Sequence, residues 1–360
     1  MKLNKKISLL LVASTIFLSL SACSKPTHEE QTSKKTDNHI ALISDTNGIK
    51  DNSLNQSAWQ GLKNYGTKNG LIEGNKGYNY FIPKDPKDYQ ASINEALDKD
   101  FSTIIGVGYT IKPNIVKAAK ANPKKNFVVI DTHAPKLKNL ASISFKNQEG
   151  AYLAGVSAAY TTKNHTVGLV LGQDSKEMNA FKVGFIQGVT ATSHKLHKHI
   201  KVLTQTVGNF SDANKAHDIA QEMYNKKADI IFQAAGKGGH GVFKAAKEVD
   251  QANPVGQKVW VIGSDEDQSQ LGDYLAKGGQ PSNFTLTSVI KSADLAVEDV
   301  ATQTANGKFP GGKTLNYGLK NNGISLVQGN LPYHTWIKVQ KAKQKIIDGK
   351  IRVERNLNKS

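Results

Sequence analysis

The sequence predicts an α/β fold built from βαβ units, with parallel sheets covered by helices on both faces. Three observations predict it. From His39 onward, short apolar β-rich runs alternate with longer amphipathic stretches. The 360 residues suffice for about two domains of ordinary size. Hydrophobic residues at 38% and charged residues at 21% exclude a disordered or fibrous chain.

Taken in order, the apolar runs place strands at 40–44, 103–107, 127–130, 141–145, 166–171, 200–206, 229–233, 259–264 and 285–289. The amphipathic stretches between and after them place helices at 53–66, 89–99, 111–121, 149–161, 176–191, 212–226, 242–249, 293–305 and 333–348. So many strands divide best into two sheets, with a boundary near Phe145, where a strand runs into an apolar helix. In open parallel sheets, ligands sit beyond the carboxyl ends of the strands, so the residues just after each strand carry the functional reading.

The N-terminus reads as a processing signal. Lys2, Lys5 and Lys6 precede an apolar stretch at 7–18, too short for a comfortable membrane span. Leu20-Ser21-Ala22-Cys23 then resembles the lipobox of bacterial lipoproteins, in which the leader is removed and the cysteine becomes lipid-modified. Cys23 is the sole cysteine, which rules out an intrachain disulfide and a cysteine-only metal site. Residues 1–22 are thus expected to be a leader and 23–38, polar and charged, a flexible tether. The formal charge of +17 would fall to about +14 on loss of the leader. All but Arg352 and Arg355 of the basic residues are lysine, a point charge unlike the planar fork that reads bases. Such a surface suits anionic lipid or cell wall better than nucleic acid, and no nucleic-acid partner is expected.

The strand ends are rich in polar groups. The first delivers Asp45-Thr46-Asn47-Gly48, then a helix start at Asn52 or Ser53, whose side chains can cap free backbone N–H groups. Another ends at Asp131-Thr132-His133, a third at Ser264-Asp265-Glu266-Asp267-Gln268, and the run 285–289 ends just before Lys291. Each acid alone is an ordinary turn or cap residue. Together, carboxylates that accept hydroxyl hydrogens and a lysine that donates to oxygens suggest a polyhydroxylated ligand.

Several chemistries are disfavoured. Gly236-Lys237-Gly238-Gly239-His240-Gly241 matches G-x-G-x-x-G, with Asp265 as a possible ribose acid, but an exported anchored chain meets no steady dinucleotide pool. Its glycines still let backbone N–H groups approach a ligand. There is no G-x-S-x-G elbow and no H-E-x-x-H. His194, His197 and His199 lie among Lys195, Lys198 and Lys201, which makes a solvated loop the better reading than a metal site. No metal or other cofactor is expected, and without a base–nucleophile pair the chain reads as a binding protein rather than an enzyme.

Six segments in order resemble the basic membrane protein family: 45–61 (DTNGIKDNSLNQSAWQG), 145–158 (FKNQEGAYLAGVSA), 181–188 (FKVGFIQG), 228–241 (ADIIFQAAGKGGHG), 263–268 (GSDEDQ) and 287–291 (TSVIK). The resemblance runs from about Ile40 to about Gly349. It implies lipid-anchored substrate-binding components of ABC transporters that bind nucleosides, mainly purine nucleosides, and hence partnership with permease and ATPase subunits. It also implies the type I periplasmic-binding-protein fold, two doubly wound lobes joined by hinge strands, here expected at 39–143 plus 264–290 and at 144–263 plus 291–360.

Position by position, the resemblance assigns Asp265 and Lys291 to the ribose hydroxyls. It places Asp45, Thr46 and Asn47 on the first-strand edge of the site, with Leu54 and Asn55 at the following helix start. It puts Asp131 near the base, Gly236 near the sugar and Phe210 as the aromatic stacking partner. The chain departs from the family at Leu54, where phenylalanine is usual. One face of the base would then meet an aliphatic group, which lacks the flat π surface of a ring. Competing readings are a surface lipoprotein with a signalling or adhesion role and a nucleoside-cleaving hydrolase using the strand-end carboxylates.

Overall fold

In a computed structural model, residues 38–254 and 256–356 are described. The leader at 1–22, Cys23 and the tether up to residue 37 lie outside them. Among the described residues no helix is long and apolar enough to cross a membrane.

The chain begins with β1 (Ile40–Ile43), α1 (Leu54–Lys68), β2 (Tyr78–Phe81), α2 (Tyr89–Asp98), β3 (Thr103–Gly106), α3 (Lys112–Ala121), β4 (Asn126–Ile130) and β5 (Leu140–Phe145). It continues through α4 (Asn147–Thr161), β6 (Thr166–Leu171), α5 (Lys176–Leu196), β7 (Lys201–Thr206), α6 (Ala213–Asn225), β8 (Ile230–Ala234), α7 (His240–Ala252) and β9 (Trp260–Asp265). After a short antiparallel hairpin, β10 (Asp273–Leu275) and β11 (Pro281–Asn283), come β12 (Thr285–Lys291), α8 (Ala293–Ala305), β13 (Thr314–Tyr317), β14 (Ile324–Leu326) and α9 (Tyr333–Ile347).

Two six-stranded sheets result, ordered β13-β5-β4-β3-β1-β2 and β14-β12-β9-β8-β6-β7. Every pairing within them is parallel except β12 with the edge strand β14. Parallel strands covered on both faces must be apolar at consecutive positions, and β1 shows how. Ile40 and Leu42 enter a core that is continuous with both sheets, while Ala41 and Ile43 face a separate core under α2 and α3. In β8, Ile230 and Phe232 join the shared core and Ile231 packs under α6 and α7. The two-residue period sorts one apolar run onto two faces.

The chain crosses between the sheets after β5, again between β12 and β13, and again between β13 and β14. This multiple crossing is the hinge arrangement the resemblance implies. The expected lobe composition needs correction. Segment 264–290 does not return to the first sheet, because β12 lies beside β9 in the second, pairing Val289 with Ser264 and Ile290 with Asp265. The returning piece is β13, which pairs with β5 through Thr314 to Ser142 and Tyr317 to Phe145. Its half-exposed Thr-Leu-Asn-Tyr run has none of the apolar continuity that marks the central strands.

Candidate functional site

The carboxyl ends of the two sheets face each other across a cleft holding about 560 Å³ of space, part of it open to solvent. From the first sheet's side come Asp45, Asn47, Asp51, Ser53, Leu54 and Asn55 around the start of α1, then Gly108, Tyr109 and Thr110 after β3, and Asp131 after β4. The second contributes Met178 and Phe181 from α5, Phe210 after β7, Ala234 and Gly236 at the end of β8, and Ser264, Asp265 and Lys291 from β9 and β12.

Lys291 is buried at the centre. Its Nζ lies 2.9 Å from Asp131 Oδ2 on the opposite side and 3.2 Å from Asp265 Oδ1 on its own. Burial pulls the ammonium down, but the two carboxylates overcome this and hold it above its ordinary value. The group is a fixed cation. The rings of Phe145 and Phe181 lie 5.7 and 5.3 Å from it and shield it from water. Asp131 and Asp265 both adopt left-handed backbone, with φ of 62° and 70°, a conformation Asp tolerates better than most residues. Both stand at the ends of strands, and that turn lets their carboxylates converge on one lysine.

The first-strand edge is built as a second polar layer. Asp45 accepts from the Asn47 backbone N–H at 2.8 Å and from Asn55 Nδ2 at 2.9 Å. Burial raises its pKa. The capping role expected of Asn52 or Ser53 belongs instead to Asp51, which accepts the backbone N–H groups of Ser53, Asn55 and Gln56 at 3.0, 3.3 and 3.0 Å. Burial pushes Asp51 up to about 6. Ser53 is thereby free to donate across the cleft to Asp265 Oδ2 at 2.5 Å. Gln268 Nε2 donates to the Asn52 carbonyl at 2.8 Å, and Tyr109 Oη to Gln173 Oε1 at 2.9 Å, so both sides are tied together at several points.

The aromatic wall depends on glycines. Phe210 lies so close to Gly172 that a Cβ there would sit 2.2 Å from its ring. The Gly238 N–H donates to the Phe210 carbonyl at 2.7 Å, and Gly236 uses a φ of 57° beneath it. Gly239 abuts Gln233 Oε1. The glycine run therefore forms a short turn that seats Phe210 and Gln233, an arrangement quite different from a dinucleotide cradle. Tyr109 meets Phe210 edge-on, ring centroids 6.0 Å apart and planes at 74°.

The structure brings together Asp45, Asn47, Leu54, Asn55, Asp131, Phe210, Gly236, Asp265 and Lys291, and leaves Thr46 exposed outside the lining. Sequence reasoning missed Tyr109 and Thr110, although they follow β3 and the strand-end rule points to them. It also missed Met178 and Phe181, which enter from a helix, where no strand-end signal exists. Ser264 Oγ is a further buried polar atom in the lining without a protein partner. The lining thus sets four carboxylates against one lysine among the described residues, beside an apolar wall. Chemically it can accept several hydrogen bonds from an uncharged ligand and flank a flat apolar group.

Two crossed-over parallel sheets with a polar cleft at their carboxyl ends define the type I-like periplasmic-binding-protein fold. The solute-binding protein of an ABC transporter system from Aeropyrum pernix K1 superposes with a TM-score of 0.76 over 89% of this chain and 94% of its own, at 22% identity, a likeness that bears on the fold alone. Residues 39–357 match the family described as ABC transporter substrate-binding protein PnrA-like, and the chain belongs to that basic membrane protein family of substrate-binding proteins. The ABC transporter nucleoside-binding protein BmpA of Lactococcus lactis is 42% identical over 89% of this chain and 90% of its own length. Basic membrane protein A of Borreliella burgdorferi is 30% identical over 98% and 96%.

Proposed function

We propose that the chain captures nucleosides, purine nucleosides foremost, between its two lobes and delivers them unchanged to an ABC permease driven by its ATPase. The observation that carries this reading is the Asp131–Lys291–Asp265 cluster with Ser53, facing Phe210, Tyr109 and Leu54. Carboxylates beside a fixed ammonium suit the paired hydroxyls of a ribose, and the apolar wall suits a base. The naming of the Lactococcus relative as a nucleoside-binding protein supports it. In this reading Asp265 and Lys291 hold the sugar, Asp45, Asn47, Asn55 and Asp131 take polar groups of the ligand, and Gly236 approaches it through backbone.

Titration calorimetry with inosine, guanosine, adenosine and uridine, followed by chromatography of the recovered ligand, tests this. Saturable binding with intact nucleoside is expected. Release of free base would establish a hydrolase instead. Asp265→Ala removes a charged acceptor and should weaken binding at least about a hundredfold; an unchanged Kd removes the residue from the site.

Cys23, outside the described residues, is the proposed lipid anchor on the extracytoplasmic face of the cell membrane, with 1–22 as its leader. Cys23→Ala is then expected to shift the protein from the membrane fraction to the medium. Unaltered membrane fractionation would contradict the anchor.

A further inference from the structure

Away from the cleft, α4, α5 and α9 border a second groove of about 1060 Å³, part of it open to solvent. Its lining includes the apolar side chains of Tyr152, Val156 and Ile351 and the lysines Lys195, Lys338, Lys341, Lys345 and Lys350. Three of the α9 lysines, Lys338, Lys341 and Lys345, are spaced i, i+3 and i+7, so they stack on one helix face. Lys195 joins them from the last turn of α5 and Lys350 from the turn beyond α9. Helix α9 carries no Asp or Glu. The single acid in the lining, Asp348, pairs with Lys350 at 3.3 Å. Lys195, Lys338, Lys341 and Lys345 are exposed and have no ion pair among the described residues.

A solvated helix face ordinarily interleaves acids with its lysines, as α7 does with Lys244, Lys247 and Glu248. Here five lysines from three segments converge instead on a lining whose single carboxylate is that of Asp348. We propose that this groove is a docking face for an anionic phospholipid bilayer. Lysine stems can cover the apolar floor while their ammonium groups reach headgroup phosphates. A diffuse phosphate layer asks for point charges rather than bidentate forks, which fits a face where lysine does the work. The cleft residues take no part, so the proposal goes beyond solute capture and does not require the anchor at Cys23.

The test is co-sedimentation of the purified full chain with vesicles of phosphatidylcholine, alone or with about one part in three phosphatidylglycerol. An acyl chain or leader partitions into both, so the increment due to phosphatidylglycerol is the readout. That increment should be large at low salt and vanish at high salt. Each lysine near such a surface contributes about fivefold, so the variant Lys338→Gln/Lys341→Gln/Lys345→Gln should lower the increment at least about tenfold. The control Lys117→Gln/Lys120→Gln/Lys124→Gln removes equal charge from exposed positions on and after α3 and should stay within about twofold of the parent. Thermal midpoints confirm that all three proteins are folded. Equal loss in both variants would show diffuse charge and overturn the proposal. So would equal binding to both vesicle types, or displacement by millimolar glycerol phosphate at constant ionic strength, which would indicate a discrete phosphate pocket.

Discussion

Burial acts differently on the acids of this protein according to what faces them. Asp265 and Asp131 share a fixed ammonium. Asp250, buried under the second sheet, accepts the Val259 N–H at 2.8 Å through Oδ1, with the Tyr274 hydroxyl and the Lys258 ammonium nearby. Burial pushes it up to about 6 from 3.8. A raised carboxyl pKa means that the folded chain binds a proton the unfolded chain has already lost. The resulting penalty is absent below about pH 4, grows through about pH 4–6 and is complete above, on the order of 3 kcal/mol. Asp250→Asn keeps the acceptor and does not titrate. Its thermal midpoint relative to the parent should therefore improve from about pH 4.5 to about pH 7.5. A difference that does not vary with pH would contradict this assignment. Such environments are invisible in a sequence, where Asp250 is one more helix acid. Asp265 and Lys291 were legible because strand ends are where parallel sheets present chemistry. Ser53 was misread as a cap, since nothing local reveals that Asp51 takes that role and releases the hydroxyl.

At the level of elements, α4 and α5 approach so closely that side chains are excluded from the seam. A Cβ on Gly184 would lie 2.3 Å from the Gln148 carbonyl oxygen, and one on Gly188 2.2 Å from that of Tyr152. These glycines lie in FKVGFIQG, so part of that segment's resemblance to the family is about packing rather than ligand. Gly188→Ala gains helix propensity of about 1 kcal/mol but must push two backbones apart, for a net loss of about 1–3 kcal/mol. A lower urea midpoint with unchanged slope is expected, and a higher midpoint would show that the helices can separate freely. The central strands could be read from sequence because burial on both faces writes continuous apolar runs. Strands β2, β13 and β14 could not, because Tyr78–Phe81 and Thr314–Tyr317 are half-polar edges and Ile324–Leu326 is only three residues long. Missing β13 is what misplaced the lobe boundary, since the return of the chain to the first sheet rests on that strand.

Over the whole molecule, a chain of strongly positive formal charge keeps a cleft in which carboxylates outnumber cations. Among the described residues, Asp45, Asp51, Asp131 and Asp265 line it against Lys291 alone. A net-negative, largely buried lining favours an uncharged hydroxylated ligand and repels a phosphorylated one, because desolvated like charges interact strongly. Selection against phosphate is the physical core of the proposed capture of nucleosides. Side-by-side calorimetry of guanosine and guanosine 5′-monophosphate tests it most directly. The cleft described here should bind the nucleoside saturably and the monophosphate at least about a hundredfold more weakly. Equal or tighter binding of the monophosphate would contradict the account.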